Sequence, residues 1–297
     1  MITKRQFDIL TYLEDTRKYV AQRELAKEIN SSLGTVNKDI QDLNEMGYIE
    51  EGIITQKGIE ALEPFKVERA IFIAAGFGSR MVPITLNTPK PLVRVKGMRI
   101  IDSLLDAVLE VGINEIYIVR GYLSEQFDQL LYKYPMIKFV ENPSYCESNN
   151  ISSAMCVNYL FRNAYVFDGD LLLNNKKLIS KYQYSSNYLG IPTQRTDDWC
   201  FQTKNDKITG VSVGGVNCYR MIGISYWTKE DGMKFASHIK EVYYSPGGKE
   251  RFWDQVVLEY HLDEYDVSLR KCSDEDIIEI DTFRELIALD KTYDISY

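Results

Sequence analysis

Residues 72–92 read FIAAGFGSRMVPITLNTPKPL. An apolar run leads into Gly76 and Gly78, Arg80 follows two residues on, and Lys90 stands between Pro89 and Pro91. Glycines after a strand let backbone N–H groups approach anionic oxygens closely. Prolines fix φ and stiffen the tract, so Lys90 is presented from a rigid loop. One strand-to-loop unit thus offers backbone donors, a guanidinium and an ammonium to a single polyphosphate. The G-x-x-x-x-G-K-[ST] loop of ATPases is absent, and Met81 stands where a dinucleotide fingerprint needs its third glycine.

A second constellation is acidic. YVFDGDLLLN places Asp168 and Asp170 at the C-terminal end of an expected strand, the edge at which open α/β sheets bind ligands. Alternation puts both on one face, where they repel unless a cation separates them. Such a hard oxygen site suits Mg2+ held together with substrate phosphates. In IIEIDTFRELIAL, Asp281 follows another apolar strand, with Glu279 alternating. Asp281 also suits a helix N-cap, since DTFRE is good cap chemistry.

The third constellation is aromatic. All three tryptophans lie in the second half: Trp199, Trp227 and Trp253, with Tyr226 and Phe252 adjoining and Asp197, Asp198 and Asp254 close by. Aromatic faces beside a carboxylate recognise a quaternary ammonium, each contact contributing about 0.5–2 kcal/mol. Trp227 reads as part of a buried strand. Trp199 and Trp253 sit in polar company and read as open to a ligand.

The elements that position these groups fall into two segments. Residues 67–297 alternate strand and helix: ERAIFIAAG, MRIIDSLLDAVLEVGI, NEIYIVRGY, LSEQFDQLLYKY, IKFVENP, NISSAMCVNYLF and NAYVFDGDLLLN. That order predicts an α/β fold with a mainly parallel sheet and flanking helices. Residues 1–66 read as short helices followed by a two-stranded wing. Phe7, Leu10 and Leu13 share one face of the first helix, and Val36, Ile40 and Leu43 share one face of the third. Ser31 or Ser32 caps that third helix. The order is that of a winged helix-turn-helix, and the segment resembles a MarR-like one. Its nine Lys/Arg against twelve Asp/Glu give a net charge of −3. DNA affinity rests largely on neutralised phosphates, so charge argues against DNA and for an interaction or regulatory role. Winged helices often pair, which leaves a homodimer through this segment open.

The 297-residue chain has 45% hydrophobic and 26% charged residues and a net charge of −8, an ordinary globular composition. Five scattered cysteines without a C-x-x-C pair suit reduced thiols in a cytosol. The N-terminus MITKRQFDIL has no signal-peptide core and no apolar run approaches a membrane span, so a cytoplasmic protein is expected. Only His238 and His261 are present, which disfavours a histidine-based triad.

The stretch AAGFGSRM…TPKPLVRVKG resembles the signature of nucleotidyltransferases that activate sugar phosphates and phosphocholine, a likeness running over roughly residues 68–292. It implies that Ala74, Ala75, Gly76 and Gly78 hold the nucleotide and that Arg80 and Lys90 bind the triphosphate. Asp170 and Asp281 are implied as the Mg2+ ligands. VRGYLSEQFDQLLYKY, ENPSYCESNNISSA, DDWCFQ, GISYWT and RFWDQVV follow the pattern of bacterial CTP:phosphocholine cytidylyltransferases. This implies an acceptor pocket at Trp199, Tyr226, Trp253 and Asp254, with Asn150 near the reacting phosphates. The implied reaction converts CTP and phosphocholine to CDP-choline and pyrophosphate. The TPKPL segment resembles that of the sugar-activating branch, so a sugar-1-phosphate nucleotidyltransferase is one alternative. A transcriptional regulator that only senses a nucleotide is the other.

Overall fold

The computed structural model describes residues 2–294. The chain divides into two compact units: residues up to Lys66 together with Tyr182–Tyr184, and the remainder.

In the smaller unit, α1 (Lys4–Thr16) begins at a capping box. The Gln6 N–H donates to Thr3 Oγ1 at 3.3 Å and the Thr3 N–H to Gln6 Oε1 at 2.9 Å, satisfying donors that a helix start leaves open. Next come α2 (Gln22–Glu28) and α3 (Leu33–Glu45). Ser32 is the N-cap of α3, accepting from the Thr35 N–H. The strands β1 (Ile49–Glu50) and β2 (Ile53–Ile54) pair antiparallel as the wing, ahead of α4 (Gln56–Leu62). Phe7, Leu10, Leu13, Val36 and Leu43 form the core. Tyr184 joins it, stacked on Phe65 at 5.2 Å and tilted against Phe7 at 5.4 Å.

The larger unit is built on a seven-stranded sheet. Its strands are β3 (Arg69–Ile73), β6 (Glu115–Arg120), β7 (Ile137–Glu141), β8 (Ala164–Asp168), β10 (Asn187–Lys204), β11 (Lys207–Trp227) and β12 (Ser268–Lys271), in the order β10-β12-β11-β8-β3-β6-β7. From β8 to β7 the pairings are parallel, while β11 runs antiparallel to β8. Two ribbons stand apart from it: β4 (Arg94–Val95) with β5 (Met98–Arg99), and β9 (Leu171–Leu173) with β13 (Ile277–Glu279). The helices are α5 (Ile100–Glu110), α6 (Ile151–Cys156), α7 (Lys229–Tyr244) and α8 (Phe283–Leu289). Alternate residues of β3 enter different cores, Phe72 packing with Leu104 and Leu105 of α5, Ile71 and Ile73 with Ile151 and Phe161. That is the pattern of a strand buried on both faces.

Several expected elements differ. NAYVFDGDLLLN is two strands, broken at Gly169–Asp170. A Cβ at Gly169 would lie 2.7 Å from Pro91 Cγ, so the chain turns where only glycine can pass the proline loop. LSEQFDQLLYKY is a 3-10 segment over Ser124–Tyr132 rather than an α-helix. The strand before Asp281 belongs to the small ribbon with β9, outside the main sheet. Among the described residues no helix is long and apolar enough to cross a membrane.

Candidate active site

The loops after β3 and β8 open onto a cavity of about 670 Å³. A smaller recess of about 250 Å³, lined by Ala74, Lys90 and Pro91, shares Gly76, Gly78, Arg80, Asp170 and Asp281 with it. This is the carboxyl edge of the parallel strands, where β-to-α loops converge.

Gly78 holds φ at +62°, and a Cβ there would meet Lys90 Cβ at 3.0 Å and Thr85 Cγ2 at 3.1 Å. The left-handed turn and the close approach both require glycine. The Thr85 hydroxyl donates to the Gly78 carbonyl at 2.8 Å, tying the glycine loop to the proline tract. The result is a buried lysine: Lys90 is 8% exposed. Its ammonium donates to Asp170 Oδ2 at 2.7 Å and to Asp281 Oδ1 at 2.8 Å. Burial alone would push Lys90 down; Asp170 and Asp281 outweigh it and raise it above the usual lysine range. Arg80, largely exposed, donates to the same Asp281 oxygen at 2.8 Å.

Asp281 is not the helix cap. Thr282 caps α8 in a capping box with Glu285, which leaves the Asp281 carboxylate for the two cations. Asp170, Glu279 and Asp281 each offer a carboxylate oxygen, all within 4.8 Å of one another. Burial first, then Asp170 and Asp281, push Glu279 up to about 8. The buried Asp170 Oδ1 has no hydrogen-bond partner. An orphaned carboxylate oxygen among crowded acids is the donor set of a hard divalent cation, and these residues fit one.

Further acids face the same cavity. Asp168 and Asp254 both line it. Burial, followed by Asp254, holds Asp168 well above the usual carboxylate range. Burial also pushes Asp254 up to about 7, against the Tyr188 hydroxyl that donates to its Oδ1 at 2.6 Å. A Cβ on Gly223 of β11 would fall 2.0 Å from Asp168 Oδ2, so that glycine makes the room Asp168 occupies. Asp198 lines the cavity as well.

The structure brings together most of the residues singled out by sequence. Ala75, Gly76, Gly78, Arg80, Asn150, Asp170, Trp199, Asp254 and Asp281 line the main cavity, and Ala74 and Lys90 the adjoining recess. Asn150 Oδ1 accepts from the Trp253 N–H at 2.9 Å, so it holds the turn that carries Asp254. Two residues are elsewhere. Tyr226, 1% exposed, packs edge-on against Tyr165 in the core. Trp253, also 1% exposed, lies among Phe161, Tyr188, Trp227 and Phe235. Tyr226 of β11 faces the first core and Trp253, in the turn after α7, the second, which their sequence neighbours do not disclose. The open aromatic pair is Trp199 and Phe252, ring centroids 6.0 Å apart at 72°. Phe77 and Tyr145, 5.4 Å apart beside the glycine loop, also line the cavity; their only sequence signal is proximity to motif residues.

A glycine loop, a buried lysine between acids and an acid cluster at one sheet edge define a nucleotidyltransferase. The nucleotidyl transferase family model matches residues 69–186, and a helix-turn-helix model matches residues 5–58. The chain is 36% identical over 228 residues to a 2-aminoethylphosphonate cytidylyltransferase of Lancefieldella rimae, covering 75% of this chain and 92% of that one. It is 32% identical to a choline-phosphate cytidylyltransferase of Streptococcus pneumoniae, covering 75% and 97%. The solved structure of the CTP:phosphocholine cytidylyltransferase from Streptococcus pneumoniae superposes with a TM-score of 0.70 at 31% identity, over 76% of this chain and 99% of that one. The chain belongs to the cytidylyltransferase family.

Proposed function

We propose that the larger unit transfers CMP from CTP to a small phosphate or phosphonate that carries a cationic amine. The observation that carries this reading is the charge of the cavity. Asp168, Asp170, Asp198, Asp254, Glu279 and Asp281 line it, against Arg80 and Lys90 in the cavity and its recess. Burial holds Asp168, Asp254 and Glu279 above the usual carboxylate range, so these acids ionise fully only beside added positive charge, which a cationic acceptor and a divalent ion both bring. Asp170, Glu279 and Asp281 are the residues that would hold Mg2+, which when bound neutralises and polarises phosphate oxygens.

The chain's own residues then do three things. The Gly76–Gly78 loop and Arg80 bind and align the triphosphate. Asn150 and Asp254 fix the acceptor end. Lys90 stabilises charge as pyrophosphate leaves. An anionic acceptor oxygen attacks the α-phosphorus of CTP, forming a new P–O bond. The bond from that phosphorus to the bridging oxygen breaks, and the electron pair leaves with pyrophosphate. The nucleophile is already ionised at neutral pH, so no general base is needed. Positioning and charge stabilisation carry the rate.

Two acceptors fit. Phosphocholine is favoured by the Trp199–Phe252 pair, since a trimethylammonium group is held by aromatic faces. A primary amine such as that of 2-aminoethylphosphonate is favoured by the burial of Tyr226 and Trp253 away from the cavity, which leaves Trp199 and Phe252 as the aromatics near Asp198 and Asp254 in sequence. The second fits the geometry better, because an ammonium with N–H groups uses carboxylate acceptors that a quaternary one cannot. Steady-state kcat/KM for the two acceptors at saturating CTP tests this, with at least a tenfold preference for the primary amine expected. Equal or reversed preference assigns the aromatic pair to choline.

A further inference from the structure

Asp254 belongs to the wall of the main cavity, yet it is only 8% exposed and forms no ion pair among the described residues. Its backbone is fixed on both sides. The Asp254 carbonyl accepts from the Val257 and Leu258 N–H groups at 3.2 and 2.9 Å, and the preceding Trp253 N–H donates to Asn150 Oδ1 at 2.9 Å. Its side chain is held by one bond. The Tyr188 hydroxyl donates to Asp254 Oδ1 at 2.6 Å, the sole side-chain hydrogen bond to that carboxylate among the described residues. Oδ2 is left for the cavity.

Tyr188 stands behind that wall. It is fully buried on β10, where its backbone pairs with Ser225 of β11 and Leu269 of β12. Phe201, Trp227 and Trp253 enclose its ring, with centroids 5.6, 5.8 and 6.2 Å away. A phenol packed on three sides and anchored in the sheet has one place for its oxygen. The last torsion of an aspartate is by contrast broad and roughly two-fold. The plane of the Asp254 carboxylate is therefore set by Tyr188.

We propose that Tyr188 is a positioning residue for the acceptor: by holding Asp254 Oδ1 it aims Oδ2 at the acceptor's ammonium group. The inference rests on the proposed role of Asp254 at the acceptor end. A hydrogen bond from an ammonium to a carboxylate is short and charge-assisted, and it weakens steeply as its angle departs from linear. A carboxylate free to turn presents a poorer acceptor to the amine. The triphosphate, bound at the glycine loop and Arg80, does not sense that turn. Tyr188 thus sets the affinity for the aminated acceptor and leaves nucleotide binding alone.

Steady-state pyrophosphate release tests this in wild type, Tyr188→Phe, Asp254→Ala and the double variant. The acceptors are 2-aminoethylphosphonate and ethylphosphonate, which has the same acid group and no amine. Phenylalanine keeps the ring and its packing, so Tyr188→Phe should melt as cooperatively as wild type. Its kcat/KM for 2-aminoethylphosphonate should fall about tenfold, the effect of a lost hydrogen bond to a charged group, chiefly through KM. Its KM for CTP and its kcat/KM for ethylphosphonate should stay at wild-type values. Added to Asp254→Ala, the substitution should have no further effect on the aminated acceptor, because the two residues act as one unit. Equal losses with both acceptors, no loss with either, or a further loss in the Asp254→Ala background overturns the inference. Wild type that uses ethylphosphonate as well as 2-aminoethylphosphonate overturns the amine-binding role of Asp254 itself, and the inference with it.

Discussion

At the residue scale, Lys90 is the centre of the site, since it bonds two acids that converge from distant parts of the chain. Lys90→Ala is expected to lower kcat by about 10²–10³-fold, the range seen when a charge-stabilising donor is removed, as measured by pyrophosphate release. Lys90, Arg80, Asp170 and Asp281 stood out in the sequence because glycines, prolines and a strand end surrounded them. Trp253 shows where that reasoning fails: its neighbours Asp254 and Gln255 are polar, yet its ring is in the core. Trp253→Ala should therefore destabilise the larger unit by about 3–5 kcal/mol, whereas Trp199→Ala should raise the acceptor KM with KM for CTP unchanged. The acids also set a pH dependence. Glu279 is held up to about 8, so the folded protein binds a proton there that the unfolded chain releases near pH 4 to 5. Stability from this group is thus lost as pH rises towards 8. Without substrate or metal, Glu279→Gln should melt several degrees above wild type at pH 8 and close to it at pH 4; an unchanged difference across that range contradicts the shift.

At the scale of elements, the site depends on places where only glycine lets two segments meet. Gly223 on β11 borders Asp168 at the end of β8. Gly223→Ala should displace that carboxylate and cut kcat/KM at least tenfold while circular dichroism stays wild-type. The parallel strands and α5 were legible because their apolar runs and periodicity are long. The hairpin of β10 and β11 was not, because its strands are polar over much of their length and register-shifted at several points. The break at Gly169 was missed for a related reason: it answers to Pro91, seventy-eight residues away, and local pattern holds no trace of that contact.

At the scale of the molecule, the chain carries a catalytic unit and a helix-turn-helix unit, and the second has a feature invisible in sequence. Tyr182–Tyr184 belong to its compact unit although they lie far along the chain. Tyr184→Ala, which removes the ring stacked on Phe65, should cost that unit about 2 kcal/mol, read as a lowered first transition in calorimetry. Its acids also bear on partners: Asp39 of α3 is bonded to Arg5 at 2.7 Å, while Asp42 and Glu45 lie on the same helix and would oppose a phosphate backbone. The central claim concerns the larger unit, and it is tested most directly by pyrophosphate release from each of CTP, UTP, ATP and dTTP. Each is paired with 2-aminoethylphosphonate, phosphocholine and glucose 1-phosphate, in wild type and Lys90→Ala. Turnover is expected with CTP and an aminated acceptor, and it should collapse in the variant. Turnover confined to glucose 1-phosphate, or wild-type rates without Lys90, would contradict the account.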